Sequence, residues 1–174
     1  MEWYYYLIIA VVILILIGSL GQVMKIRLES SMIIKIVGEL KRVLSDNFSV
    51  EVVKSKPYQI EINSEDTTYL FKTIRFNPNH ELIITNQYYW CINENIKNYK
   101  RSEKPVLIHG VPEFLKYQIE GNKKVIKLAI IYPGCYNRTR YLNESDVELV
   151  NFKKAVHQVY FLTFDEIKEF FLSR

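Results

Sequence analysis

VIKLAIIY, residues 125–132, carries one charge, Lys127, in an otherwise apolar run. Side chains alternate between the two faces of a strand, so apolar residues at successive positions mean that both faces are covered. The stretch predicts a central strand of a mixed α/β sheet with a layer on each side, and it is the leading candidate for the core. Outward from it, period-two patterns predict strands at residues 50–54, 58–62 and 68–74, punctuated by Lys56-Pro57 and by the polar turn 63–66. Their short connections imply antiparallel pairing. Further strands are expected at 81–85, after Asn77-Pro78-Asn79, and at 147–152 and 159–163; residues 88–92 either extend the 81–85 strand or form the next one.

The helices follow from a different period. Ile33, Ile34, Val37, Leu40, Val43 and Leu44 recur at spacings of three and four, with Lys35, Glu39, Lys41 and Arg42 between them, which predicts an amphipathic helix over about 29–44. Pro112 opens a short helix over 111–118, and Asp165 stands near the N-cap of a terminal helix over 165–172. Residues 93–105 and 134–144 read as surface loops. Neither a repeat nor a low-complexity segment interrupts this pattern.

The first 24 residues form a separate unit. LIIAVVILILI, residues 7–17, is the centre of a run from Trp3 to Leu20 without charge, and the first basic residue is Lys25. A helix over 3–23 is roughly 30 Å long, the thickness of a bilayer hydrocarbon core. Trp3, Tyr4, Tyr5 and Tyr6 supply an aromatic belt at one end, and Lys25 and Arg27 mark the other. A signal peptide would begin with positive charge, whereas this chain begins Met1-Glu2-Trp3. The expectation is a single-pass transmembrane anchor over 1–24 and one domain over 25–174. Glu2 precedes the span, and Lys25, Arg27, Lys35, Lys41 and Arg42 follow it. The positive-inside rule therefore puts the N-terminus outside and the domain in the cytoplasm, at the cell membrane. Cys91 and Cys135 are the only cysteines, a poor disulfide framework, and free thiols fit a reducing compartment.

Composition bounds the rest. A chain of 174 residues, 49% of them hydrophobic, builds one sizeable core and leaves no room for two catalytic domains. Charged residues make up 24%, which excludes wholesale disorder. The net charge of +4 is mild for a dedicated nucleic-acid clamp. Beyond the anchor the 23 basic residues stand against 18 acidic ones, since Glu2 is the one acid before residue 25. His80, His109 and His157 share no ligand spacing, so no protein-held metal site and no cofactor is expected from them. The chain has no Gly-rich phosphate loop, no CxxC, no HExxH and no GxSxG elbow.

One arrangement of residue types remains: Glu39 on a helix, then Glu61 and Lys72 on neighbouring strands. Within residues 29–132 the order helix, three strands, helix, strand resembles the core of the PD-(D/E)xK nuclease superfamily, the restriction-endonuclease-like fold. The resemblance implies that Gly38-Glu39-Leu40 matches the helix acid. Ile60-Glu61-Ile62 then stands for the strand Asp, and Leu70-Phe71-Lys72 for the (D/E)xK signature. In that family the carboxylates hold Mg²⁺ or Mn²⁺ through oxygen and the lysine orients the attacking water. Here Leu70 occupies an acid's position, and leucine cannot coordinate a cation. The resemblance thus implies a degenerate, non-catalytic nuclease-like core on a membrane anchor, serving as a binding domain. Two alternatives stay open: a Mg²⁺-dependent nuclease acting on DNA near the membrane through Glu39, Glu61 and Lys72, and a protein–protein scaffold. Without any site, Glu39 pairs with Lys35 or Arg42, and Glu61 with Lys72 across the strands. Lys97, Lys100, Arg101 and Lys104, interleaved with Tyr99, form one basic cluster; Arg138 and Arg140, with Tyr136, form a second. Both suit nucleic-acid phosphate or anionic lipid.

Overall fold

The computed structural model describes residues 2–45, 47–94, 105–143 and 146–173. Its first element, α1 (Glu2–Val43), is one helix of 42 residues, about 63 Å at 1.5 Å per residue. The apolar part has a mean hydropathy of 2.7 and none of the described residues packed on it, so it is long and apolar enough to cross a membrane. No break falls between the apolar part and the amphipathic part, because neither Pro nor a cap interrupts residues 18–32. Met32, Ile36 and Leu40, one helical turn apart, are buried against the sheet. Ile34 lies half a turn away from that row and is 70% exposed, so it does not join the packing set that its spacing suggested.

Among the described residues ten strands follow, with two further α-helices and a single 3-10 turn at Phe164–Glu166. The first half holds β1 (Ser49–Val52), β2 (Ile60–Asn63), β3 (Thr67–Arg75), β4 (Glu81–Ile84), β5 (Trp90–Asn93) and β6 (Val106–Leu107). After them come α2 (Val111–Lys116), β7 (Lys124–Tyr132), β8 (Asn137–Tyr141), β9 (Val147–Leu149), β10 (Val159–Thr163) and α3 (Ile167–Leu172). They form two five-stranded mixed sheets, in the orders β1-β2-β3-β7-β10 and β6-β5-β4-β8-β9. The expectation of one sheet is corrected here: the 81–85 and 88–92 strands leave the first sheet and start a second. In the first sheet β1, β2 and β3 pair antiparallel, while β7 lies parallel to both β3 and β10. The 125–132 run was expected to be the central strand; it is an interior one, between β3 and the edge strand β10, while β3 holds the middle of the sheet.

Both faces of that sheet are covered. Ile126, Leu128 and Ile130 of β7, with Phe71 and Leu162, pack under α1 and α3. Ala129 and Ile131, with Leu70, Ile74, Val159 and Phe161, pack against the second sheet and α2, where Trp90 meets Phe161 at 4.7 Å. Residues 137–141 were expected to be loop and form β8 instead. Asn-Arg-Thr-Arg-Tyr has no apolar alternation to betray a strand: Arg138 and Arg140, in register with the buried Leu82 and Ile84, turn toward the first sheet, and Thr139 turns to the opposite face, where its hydroxyl donates to Glu81.

Three contacts fix the direction of α1. Lys35 Nζ stands 5.9 Å from the centre of the Tyr132 ring, at the carboxyl end of β7. Arg42 and Val43 line one hollow with Lys168 and Leu172 of α3, and Phe171 meets the Tyr69 ring edge-on near the amino end of β3. Helix α1 thus runs opposite to β3 and β7, so their carboxyl ends point toward the apolar end of the helix.

Candidate functional site

The structure separates the residues that the nuclease resemblance groups. Glu39 lies on α1, over the helix-covered face, and pairs with Arg42 at 2.6 Å. Phe71 turns to that same face, so its neighbour Lys72 turns to the other one, toward α2. Glu61 also turns away from the helices, directly opposite Leu70 in register. Glu61 and Lys72 therefore share a face that Glu39 does not reach.

Glu61 is held in a local network. Its Oε2 accepts a hydrogen bond from Tyr58 Oη at 2.5 Å and one from Lys56 Nζ at 3.4 Å, and its Oε1 accepts one from Asn63 Nδ2 at 3.0 Å. Burial pushes this carboxyl up, but those donors outweigh it and hold the group below the usual glutamate range. Its ionic partner is Lys56, from the turn before β2, and not Lys72. Sequence spacing missed this pair because the Lys56-Pro57 turn folds the chain back over Glu61. Lys56 also lies over the rings of Tyr58 and Tyr117, at 5.4 and 5.9 Å, which anchors it in place.

Lys72 is only 7% exposed. Among the described residues its ammonium has no hydrogen bond and no ion pair, and Glu113 acts on it only through space. Burial lowers its pKa, with Glu113 opposing. Room for it exists because Gly110, at φ +70°, has no side chain; a Cβ there would lie 3.2 Å from Lys72 Nζ. Gly110 also lines a cleft of about 430 Å³, whose wall includes Tyr88, Tyr89, His109, Glu113 and Lys116.

These positions do not fit a divalent cation. Leu70 is fully buried and offers no oxygen, both Glu61 oxygens already accept hydrogen bonds, and Glu39 stands across the sheet. Among the described residues no group of three or more His, Cys, Asp or Glu side chains is arranged to hold a metal.

The second arginine cluster is used internally. Arg138 donates to both carboxylate oxygens of Glu166, at 2.6 and 2.7 Å, and to the Phe161 carbonyl at 2.8 Å, so it ties the second sheet to the first. Burial raises the Glu166 carboxyl, and Arg138 more than reverses the shift. Arg140 stands 3.8 Å from Glu148, which Lys154 also meets at 2.9 Å. The expected basic cluster at Lys97, Lys100, Arg101 and Lys104 lies outside the described residues.

A second cleft, of about 580 Å³, opens at the carboxyl ends of β3 and β7. Arg75, Asn77, His80, Glu94 and Tyr132 line it, and Arg75 sits opposite Tyr132 in register. Sequence reading passed over Arg75 and Tyr132. Their only signal is their place at the last position of strands that turn out to be parallel neighbours, and register is not written in either strand alone. Compared with family models, with curated proteins and with solved structures, the chain has no match.

Proposed function

We propose that this chain is a single-pass, membrane-anchored binding domain whose core resembles the PD-(D/E)xK nuclease core with its catalytic positions lost. Helix α1 would cross the bilayer through residues 3–23, and the basic residues after it would keep the domain on the cytoplasmic side. The order α1, the β1-β2-β3 meander, α2 and then β7 beside β3 supports the nuclease-like part, with β4, β5 and β6 inserted between β3 and α2.

The observation that carries the non-catalytic part is the pair Glu61 and Leu70. They face each other in register on adjacent strands, so the two positions that would share a cation are side by side, and one is leucine. The other carboxylate is enclosed by Tyr58, Asn63 and Lys56. A carboxylate so occupied stabilises a turn; it does not bind a hard cation.

The test is calorimetric titration of Mg²⁺ and Mn²⁺ into the full chain in detergent, followed by plasmid cleavage with the same sample and a Glu61→Ala control. Neither saturable heat nor cleavage is expected. Metal-dependent cleavage that disappears in Glu61→Ala would make the protein a nuclease and overturn the reading.

A further inference from the structure

We propose that the cleft at the carboxyl ends of β3 and β7 holds the phosphate of an anionic lipid headgroup, gripped by Arg75 on its wall and approached by Lys35, which lies outside the lining but beside the Tyr132 ring. The inference rests on the membrane-anchor reading and adds to it a ligand class and a place.

Direction comes first. Lys35 meets Tyr132, whereas the last turn of α1 meets α3 and the amino end of β3, so the cleft lies toward the apolar end of the helix. The chain path agrees: Val43 connects within a few residues to the start of β1, which runs parallel to β3 through its antiparallel neighbour β2. In a bilayer-anchored chain this cleft opens on the membrane side. Carboxyl ends of parallel strands are also where open α/β sheets receive ligands.

Charge comes second. Arg75 is exposed and Lys35 is exposed, and among the described residues neither has a hydrogen bond or an ion pair. Both flank one ring: Lys35 Nζ is 5.9 Å from the Tyr132 centroid, and Arg75 is the cross-strand neighbour of Tyr132. A guanidinium fork beside a lysine point charge suits a phosphate. His80 adds a donor on the wall, and Glu94, the one acid among the lining residues, disfavours a second negative group. Tyr136, 62% exposed on the next loop, belongs with the aromatic rings that settle at headgroup level.

Reach comes third. Met24, Ile26 and Leu28 are 62%, 62% and 43% exposed, so apolar contact with lipid can continue to Leu28 while Lys25 and Arg27 snorkel outward. From Leu28 to Lys35 the helix rises about 10 Å. The headgroup layer on each side of the hydrocarbon is roughly 5–8 Å deep, and spanning helices tilt by about 20°. An extended lysine side chain crosses the remainder.

The test uses the full chain, delipidated in detergent and read by native mass spectrometry. Dioctanoyl phosphatidic acid, dioctanoyl phosphatidylcholine and inorganic phosphate are titrated in turn. One saturable phosphatidic acid is expected, about tenfold weaker in Arg75→Gln, several-fold weaker in Lys35→Gln, and unchanged in Lys124→Gln at the opposite end of β7. Equal binding of phosphatidylcholine, or an Arg75→Gln variant that binds like the parent, overturns the site. Displacement by inorganic phosphate at the lipid's own concentration overturns the lipid source and leaves a free-phosphate site. Alkaline carbonate washing of the membranes separates the two readings: retention in the pellet supports the anchor whichever lipid binds, and release into the wash overturns the anchor itself.

Discussion

The two faces of the β1-β2-β3-β7-β10 sheet are built from alternate residues of the same strands, and they are chemically unlike. Toward α1 and α3 the sheet shows Ile60, Ile62, Phe71, Leu128, Ile130 and Leu162, a dry layer sealed by the two helices. Toward the second sheet and α2 it shows Glu61, Lys72 and Lys127 among the apolar residues. Lys127 Nζ donates to the Leu115 carbonyl, and Glu61 sits in its own network. A helix pair closes a face completely, whereas a short helix and a small sheet leave clefts along their seams, and polar side chains survive where a seam is near. Chemistry in this fold therefore belongs to the seams and to the sheet's ends.

The largest expected effect is on the dry face. Leu128→Ala removes a fully buried side chain from beneath α1 and should cost about 3–4 kcal/mol, because an interior strand cannot shift to fill the cavity. Denaturant unfolding of the full chain in detergent, followed by Trp90 fluorescence in a Trp3→Phe background, measures it. A loss below about 1 kcal/mol would mean that the helices do not seal this face. Next comes the link between the sheets. Arg138→Ala leaves the half-buried Glu166 carboxylate without its partner, at a cost of about 2 kcal/mol, less than for a fully buried pair. The sign with pH follows from the lowered Glu166 pKa. The pair stabilises the fold above the ordinary glutamate range, and the advantage of the parent over Arg138→Ala should vanish as pH falls through the depressed pKa.

The dry face was legible in the sequence and the seam face was not. The 125–132 run announced a strand covered on both sides, and the spacing of Leu40 and its neighbours announced the helix that covers one of them. The uncharged run from Trp3 to Leu20 announced a helix of membrane-spanning length. These signals are local, since burial period is a property of one element. Strand pairing is not local: nothing in 81–85 or 137–141 says that β4 and β8 will lie parallel in a second sheet. Arg138 and Arg140 read as a free basic cluster because their partners, Glu166 and Glu148, are supplied by pairings the sequence does not declare. Glu61 was matched to Lys72 by strand spacing, while the turn at Lys56-Pro57 delivered a nearer cation.

The smallest effect has the sharpest sign. Lys72 carries its charge into the seam face with no counter-ion in contact among the described residues, beside the opening at Gly110. Lys72→Met keeps the stem, removes the ammonium, and should raise stability at pH 7 by about 1 kcal/mol, since an apolar replacement for an uncompensated buried charge is commonly stabilising. The pH dependence distinguishes this from simple packing. Burial lowers the folded-state pKa of Lys72 below 10.5, so in the window between that lowered value and 10.5 the unfolded chain binds more protons than the native one. Stability of the parent therefore rises with pH through that window, and the advantage of Lys72→Met shrinks as it does. Unfolding curves at pH 7, 9 and 10.5 test both statements. A variant less stable than the parent at pH 7 would mean that the ammonium has a favourable partner on this face. The seam at Gly110 would then be a site that uses the lysine, and the difference between the two faces would be one of function as well as of packing.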